Sequence, residues 1–452
     1  MNKRDFSTKR INVFIVSVST VLMLFVSTLP FKANKFGDMN FHIESKNVAL
    51  FLKGKVDFDK VVITKAPGPI LFYTPAYLLA PADATDDQLW LYAVIFLSII
   101  TTLGLLIIFR VGCLFFSKEV GLLAVLLFFI FPIHCYYSFG ILAEIPAFFS
   151  LTLAIFGWTL AFKEPHEKRG WLVLNFGMWL LIMNRPNAML LLGILFVVVV
   201  YSYFKNKSFF ENYRKKLALT FLIVTALSVG GLQLAKRTTL NKSGENQETL
   251  FYFVAHQGRF QFREEPLDFR FWDNNNRSDS KDYQNWVKSR EELATEMTKT
   301  NRSFNGVYSH FLVHDIITHP FWSTRQFFVK CLYGNLNIIS KVHPDEFKLG
   351  PFRGAIGYWS FLFILNSINI LVLMGVTLFL VKEKNLIKYW VFWGITLSLL
   401  VFHGLTYMEP RYIFPSKVAL YLMGAAGLYR IHWIKKVINK ISVYMFPTSK
   451  TI

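Results

Sequence analysis

Residues 89–112 read LWLYAVIFLSIITTLGLLIIFRVG, with one charge, Arg110, near the end. As a helix the run measures about 36 Å at 1.5 Å per residue, enough to cross a hydrocarbon layer of ~30 Å. Similar runs occur at 11–30, 120–139, 145–162, 170–183, 186–204, 217–235, 356–381, 386–405 and 414–431. This pattern predicts an all-α polytopic membrane protein with about ten transmembrane helices. The run 170–183 is short, and Asn184-Arg185-Pro186 follows it, so it reads as a half-crossing or tilted helix. Ile70–Ala80 is shorter still and carries Pro75, as an interfacial or re-entrant piece would.

Composition agrees with the pattern. The chain has 452 residues, of which 53% are hydrophobic. A soluble domain has about 45–50%. A net charge of +20 invites a nucleic-acid partner, but much of the Lys and Arg sits between apolar runs, where orientation charges belong. The three cysteines, Cys113, Cys135 and Cys331, have no paired spacing and imply no disulfide framework or metal knuckle. Lys3, Arg4, Lys9 and Arg10 precede the first run, and no small-residue cleavage site comes before Phe31, so that run reads as a retained anchor.

Basic residues cluster in alternate connections, at Lys163, Lys168 and Arg169, at Arg214 to Lys216, and in the tail from Arg430 to Lys450. This bias predicts both termini on the cytoplasmic side. The chain divides into an N-terminal membrane half, 1–236, with a first outer loop at 31–69. An extracytoplasmic insertion follows at 237–355, then C-terminal membrane helices and a cytoplasmic tail at 356–452. Within the insertion, 304–340 reads as amphipathic helix with a break at His319-Pro320. Asn241, Asn276 and Asn301 each open an N-x-Ser pattern, which matters only in a glycosylating pathway.

Five outer features carry ionisable groups. The stretch Phe36-Gly37-Asp38-Met39-Asn40-Phe41-His42-Ile43-Glu44 follows the first apolar run. If the part after Gly37 is helical, Asp38 and His42 share a face. That arrangement suits a general base with a proton partner or a metal ligand beside it, and a solvated charged loop is the other reading. Lys65-Ala66-Pro67-Gly68-Pro69 sets Lys65 at the membrane surface, either toward a ligand or toward lipid. In Asn184-Arg185-Pro186-Asn187, Arg185 reads as a phosphate contact or as a snorkelling anchor. Glu409-Pro410-Arg411-Tyr412 pairs an acid with a base in a short loop, and Glu144 is a lone acid at a helix end. No P-loop, dinucleotide fingerprint, zinc signature or nucleophile elbow occurs.

In this order and sidedness, Asp38 to Glu44, Lys65 to Pro69, Glu144, Arg185 and Arg411-Tyr412 with Pro415 resemble the GT-C superfamily. These are multispanning glycosyltransferases that use polyprenyl-phosphate sugars. The nearest branch is the protein O-mannosyltransferase and lipid A aminoarabinose-transferase type. This chain departs from that branch in having Asp38-Met39 where paired acids are common, and Lys-Ala-Pro-Gly-Pro where Lys-Pro-Pro is common.

The resemblance implies an inverting hexosyl or pentosyl transfer on the periplasmic or lumenal face, most naturally of a bacterial inner membrane. Asp38 would be the general base, with Glu44 a second catalytic acid. Lys65, Arg185, Arg411, Tyr412 and Glu144 would form the substrate and phosphate contacts. A divalent metal remains open, with His42 as its ligand. The expected partners are the polyprenyl-phosphate-sugar donor, a glycan, lipid or protein acceptor, and membrane lipid, with no nucleic acid. A membrane polysaccharide polymerase or ligase, and a lipid-linked sugar transporter or flippase, are the alternative classes.

Overall fold

The computed structural model describes residues 3–28, 35–64, 66–130, 132–204, 211–240, 247–265, 277–336, 348–349 and 351–445. Lys65, Asn241 and Asn276 lie outside the described residues. The chain is helical almost throughout. Its one sheet among the described residues is a pair of two-residue strands, β1 (Lys348–Leu349) antiparallel to β2 (Phe352–Arg353). It folds as two compact units.

The first unit covers 1–241, 370–398 and 415–452. It opens with α1 (Lys3–Thr28), α2 (Met39–Leu52) and α3 (Pro67–Leu79). Next come α4 (Asp86–Phe115), α5 (Lys118–Ile130), α6 (Ile133–Ser138), α7 (Glu144–Lys163) and α8 (Lys168–Asn184). The run ends with α9 (Leu190–Phe204) and α10 (Arg214–Leu240). The second unit covers 242–369 and 399–414. It holds α11 (Gln247–Phe260), α12 (Lys281–Thr300), α13 (Phe304–Thr318), α14 (Pro320–Asn335) and α17 (Pro410–Ile413). Two long helices, α15 (Gly354–Lys382) and α16 (Trp390–Leu405), have residues in both units. The first unit closes with α18 (Lys417–Leu428) and α19 (His432–Met445).

Seven described helices are long and apolar enough to cross a membrane: 9–28, 86–115, 144–163, 186–204, 214–235, 354–382 and 386–405. This is a polytopic membrane protein. The other three expected spans take shorter forms. The run 120–139 divides into α5 and α6 around Pro132, whose ring removes a backbone donor. The run 170–183 becomes the 17-residue α8, about 26 Å long. The run 414–431 becomes a 3₁₀ turn and α18, whose 12 residues are all buried. A helix apolar on every side belongs inside the bundle, and at about 18 Å this one does not cross.

Local chemistry explains the helix starts. Thr85 Oγ1 accepts from Gln88 N at 3.3 Å and Gln88 Oε1 accepts from Thr85 N at 2.9 Å, a capping box that opens α4. Asp86 and Asp87 follow at its positive end. Small residues bring α7 and α8 together. A Cβ on Gly157 would lie 2.2 Å from Leu174 N, and one on Gly177 would lie 2.4 Å from Ala154 N. Only backbone fits there, the packing that lipid-embedded helices favour. In the second unit α12 starts on Ser280 and α13 on Ser303, each hydroxyl accepting a backbone N–H. The expected break at His319-Pro320 is present. It separates α13 from α14, with Pro320 at the first helical position.

Candidate active site

In the first unit the candidate residues gather around the turn 140–144, just before α7. Asp38 is half-buried and caps α2. Its carboxylate accepts from Asn40 N at 3.2 Å, and its own backbone N donates to Ile141 O at 3.0 Å. Ile141 N in turn donates to Lys35 O at 3.2 Å. Tyr73, fully buried on α3, grips the next residue. Its hydroxyl donates to Leu142 O at 2.6 Å and accepts from Leu142 N at 2.7 Å. Burial pushes this phenol well above its ordinary range, and the charges of Glu144 and Asp38 push it the same way. Tyr73 therefore senses both carboxylates.

The turn ends in Glu144, which is buried and pairs with Arg185 at 2.7 Å. Arg185 closes α8, with its N donating to Leu181 O at 2.8 Å and Pro186 stopping further helix. Its neighbour Asn184 is buried and anchors α8 on α7, donating to Ser150 Oγ at 3.0 Å and Leu180 O at 2.8 Å. A Cβ on Gly68 would lie 2.4 Å from Asn184 N. The first turn of α3 therefore rests, at Gly68, on the backbone next to Arg185. Asp38, Glu144 and Arg185, far apart in sequence, meet through one five-residue turn.

The expected grouping of Asp38 with His42 and Glu44 does not form. Asp38 is extended, at φ −132° and ψ 99°, outside the helix that holds the other two. His42 is buried, its Nδ1 2.8 Å from the Tyr77 hydroxyl and its Nε2 3.2 Å from Asp86. Burial lowers the His42 pKa below its usual value, although Asp86 opposes the shift. Glu44 faces the other way and accepts from Thr64 N at 2.9 Å and from the Thr64 hydroxyl. It thus ties α2 to the segment before Lys65. Among the described residues no group of three His, Cys, Asp or Glu side chains could hold a metal ion. His42, the expected ligand, instead lies against Tyr77 and Asp86.

The second unit has its own charged cluster. Arg411 Nε lies 2.5 Å from Glu409 Oε2 in an ion pair, and Tyr407 donates to Glu409 Oε1 at 2.5 Å. Glu409 is buried and Arg411 partly exposed, so this is more than the loose surface pair the spacing allows. The guanidinium sits 5.2 Å from the Tyr412 ring, and His403 stacks on that ring at 4.6 Å. Burial, then the charge of Glu409, raises Tyr407 and Tyr333 well above the usual tyrosine range.

Two buried side chains hold the segment that carries these groups. Gln261 donates from Nε2 to Met408 O at 2.6 Å and accepts from Met408 N at 2.9 Å. Lys330 donates to Thr406 O at 2.5 Å, and burial holds its amine well below the usual lysine pKa. Next to Gln261, Phe262 has φ +61°, a costly conformation for a bulky side chain, with its ring against Tyr333 at 4.9 Å. Sequence reasoning passes over Tyr73, Gln261 and Lys330. Each is a common residue in an unremarkable stretch, and its role arises from a partner 69 to 147 positions away.

No family model and no curated protein matches this chain. Solved structures do. The archaeal oligosaccharyltransferase AglB from Archaeoglobus fulgidus, in complex with an inhibitory peptide and a dolichol-phosphate, overlays with a TM-score of 0.53 at 13% identity. That match covers 98% of this chain and 52% of AglB. The same enzyme tethered to an acceptor peptide with an NVT sequon gives 0.51 at 12% identity, over 96% of this chain and 50% of that one. ArnT from Cupriavidus metallidurans bound to undecaprenyl phosphate overlays more loosely, at 0.39 and 13% identity, over 92% of this chain and 77% of ArnT. The chain spans about half the length of the oligosaccharyltransferase structures. What it shares with them, along most of its own length, is the fold.

Proposed function

We propose that this chain is an inverting membrane glycosyltransferase. It moves a hexosyl or pentosyl unit from a polyprenyl-phosphate donor to a glycan, lipid or protein acceptor on the outer face. The membrane is a bacterial inner membrane and both termini are cytoplasmic. The observation that carries the reading is the turn 140–144, where the backbone of Asp38, the carboxylate of Glu144 and the guanidinium of Arg185 are fastened together on a fold shared with a dolichol-phosphate-bound transferase.

Asp38 is the general base. It takes the proton of the acceptor hydroxyl as that oxygen attacks the anomeric carbon. The carbon–oxygen bond to phosphate breaks on the opposite side, and polyprenyl phosphate leaves with the electron pair. The growing charge on the leaving group needs cations fixed before the reaction, which favours Arg185 with Lys65 beside the start of α3. Glu144 fixes the guanidinium through a 2.7 Å bond from Nη2, and the planar fork matches the geometry of a phosphate oxygen pair. Glu44 supports the site through Thr64. In the second unit Arg411 and Tyr412 are assigned to an anionic group of the substrate. No step is routed through a metal, since His42 is engaged by Tyr77 and Asp86.

The test is transfer by the purified protein in vesicles, with a polyprenyl-phosphate sugar as donor and acceptor glycans, lipids and peptides offered in turn. Release of polyprenyl phosphate coupled to loss of donor sugar is expected. Failure to use any polyprenyl-linked sugar would overturn the reading.

A further inference from the structure

Helix α14 has two unlike faces. The inner face holds the segment before α17. Lys330 reaches Thr406 O, Gln326 donates to Gln261 O at 2.6 Å, and a Cβ on Gly334 would lie 2.5 Å from Met408 Sδ. The outer face is apolar and uncovered. Phe321 is 91% exposed, Phe328 65% and Leu332 57%, at spacings that put them on one stripe with Arg325. The adjoining α13 adds Val313 at 57% and Ile317 at 70%. A monomeric soluble surface rarely presents such a set of large apolar side chains. Neither helix, at 15 and 16 residues, is long enough to cross a bilayer.

The contacts within this unit indicate what covers the stripe. A Cβ on Gly404 of α16 would lie 2.6 Å from the Phe327 ring, and Cys331 Sγ lies 3.8 Å from Leu400 O. Asn369 of α15 donates to Asn335 O at 2.7 Å. Both α15 and α16 are long and apolar enough to cross a membrane. The first turns of α15 turn Ile356 and Phe363 outward. α14 therefore touches two helices long enough to cross a membrane, and, like the first turns of α15, it turns large apolar side chains outward. Arg325 within the stripe suits a helix lying at headgroup level, its stem along the acyl chains and its charge at the phosphates.

We propose that the α13–α14 hairpin lies in the membrane interface, with Phe321, Phe328 and Leu332 in the acyl layer, and that α14 thereby sets the depth of the 406–412 segment. The second half rests on the assignment of Arg411 to the substrate's anionic group. The first half does not.

The test uses the full chain with Cys113, Cys135 and Cys331 replaced by serine, and a single spin label at Phe321→Cys, Phe328→Cys or the exposed control Lys299→Cys. The protein is reconstituted in phosphatidylcholine–phosphatidylglycerol vesicles. At 321 and 328, collision with oxygen should exceed collision with a water-soluble nickel chelate, and the order should reverse at 299. Nickel-dominated collision at 321 and 328 would place the face in water and overturn the proposal. Exclusion of both reagents would overturn it in favour of a protein partner. The depth claim is read separately. Phe321→Asp with Phe328→Asp should raise the donor KM about tenfold with kcat kept, and the paired leucine variants should keep both. An unchanged KM would remove the depth claim. If the wild type uses no polyprenyl donor, the proposed function fails while the spin-label result stands.

Discussion

Asp38→Asn separates chemistry from structure at the candidate base. Asp38 caps α2 by accepting from Asn40 N, and its backbone N donates to Ile141 O. Asparagine keeps both bonds, because its amide oxygen caps about as well as a carboxylate. The fold should therefore change by only a few tenths of a kcal/mol. Alanine would cost about 1 kcal/mol through the lost cap, so it is the poorer probe. The amide cannot accept a proton at neutral pH, and losing general-base help lowers the rate about 10²–10⁴-fold, or ~3–5 kcal/mol in the barrier. The assay is sugar transfer from a polyprenyl-phosphate donor by protein in vesicles, with donor binding and thermal unfolding measured alongside. The expected result is wild-type binding and unfolding with transfer nearly abolished. Turnover within a few-fold of wild type would refute the assignment and move the base to Glu144 or Glu44.

Other outcomes follow from the same geometry. Arg185→Ala should weaken donor binding and also strand the buried Glu144, costing about 3–5 kcal/mol of stability. Adding Glu144→Gln should restore the unfolding temperature but not donor binding, and recovery of both would reduce Arg185 to a structural partner. Gln261→Leu removes both hydrogen bonds to Met408, at about 1–3 kcal/mol for each buried group left unpaired, and should lower thermal stability with the donor KM rising more than kcat falls. Burial holds His256 down to about 4 from 6.5, favouring its neutral form in the fold. The stability it contributes is complete above pH 6.5 and is lost as pH falls toward 4. Amide exchange in α11 to α13 should accelerate over that window by up to about 3 kcal/mol of protection, and His256→Phe should flatten the trend.

Residues 89–112 are enough to establish what kind of solvent this chain occupies. A run that apolar and that long must satisfy its own backbone in lipid, so the class of fold is local information. The seven long helices and the break at His319-Pro320 are legible for the same reason, since length, hydropathy and a missing N–H belong to single segments. The candidate site was legible in its residue types and their order, as Asp38, Glu144, Arg185 and Arg411 stand out as charges beside apolar runs.

Their partners were not legible. Helical spacing suggested Asp38 with His42, but capping α2 needs an extended residue, and that turns Asp38 toward the 141 backbone. Arg185 finds Glu144 only because α8 can close on α7 at Gly157 and Gly177, and α3 reaches Asn184 only at Gly68. The depth of α18 and the grip of Gln261 on Met408 likewise depend on residues up to 147 positions away. Solvent preference is a property of a segment, and the sequence states it directly. Which carboxylate meets which arginine depends on where backbones can approach within a few ångströms, and only the packed tertiary structure decides that.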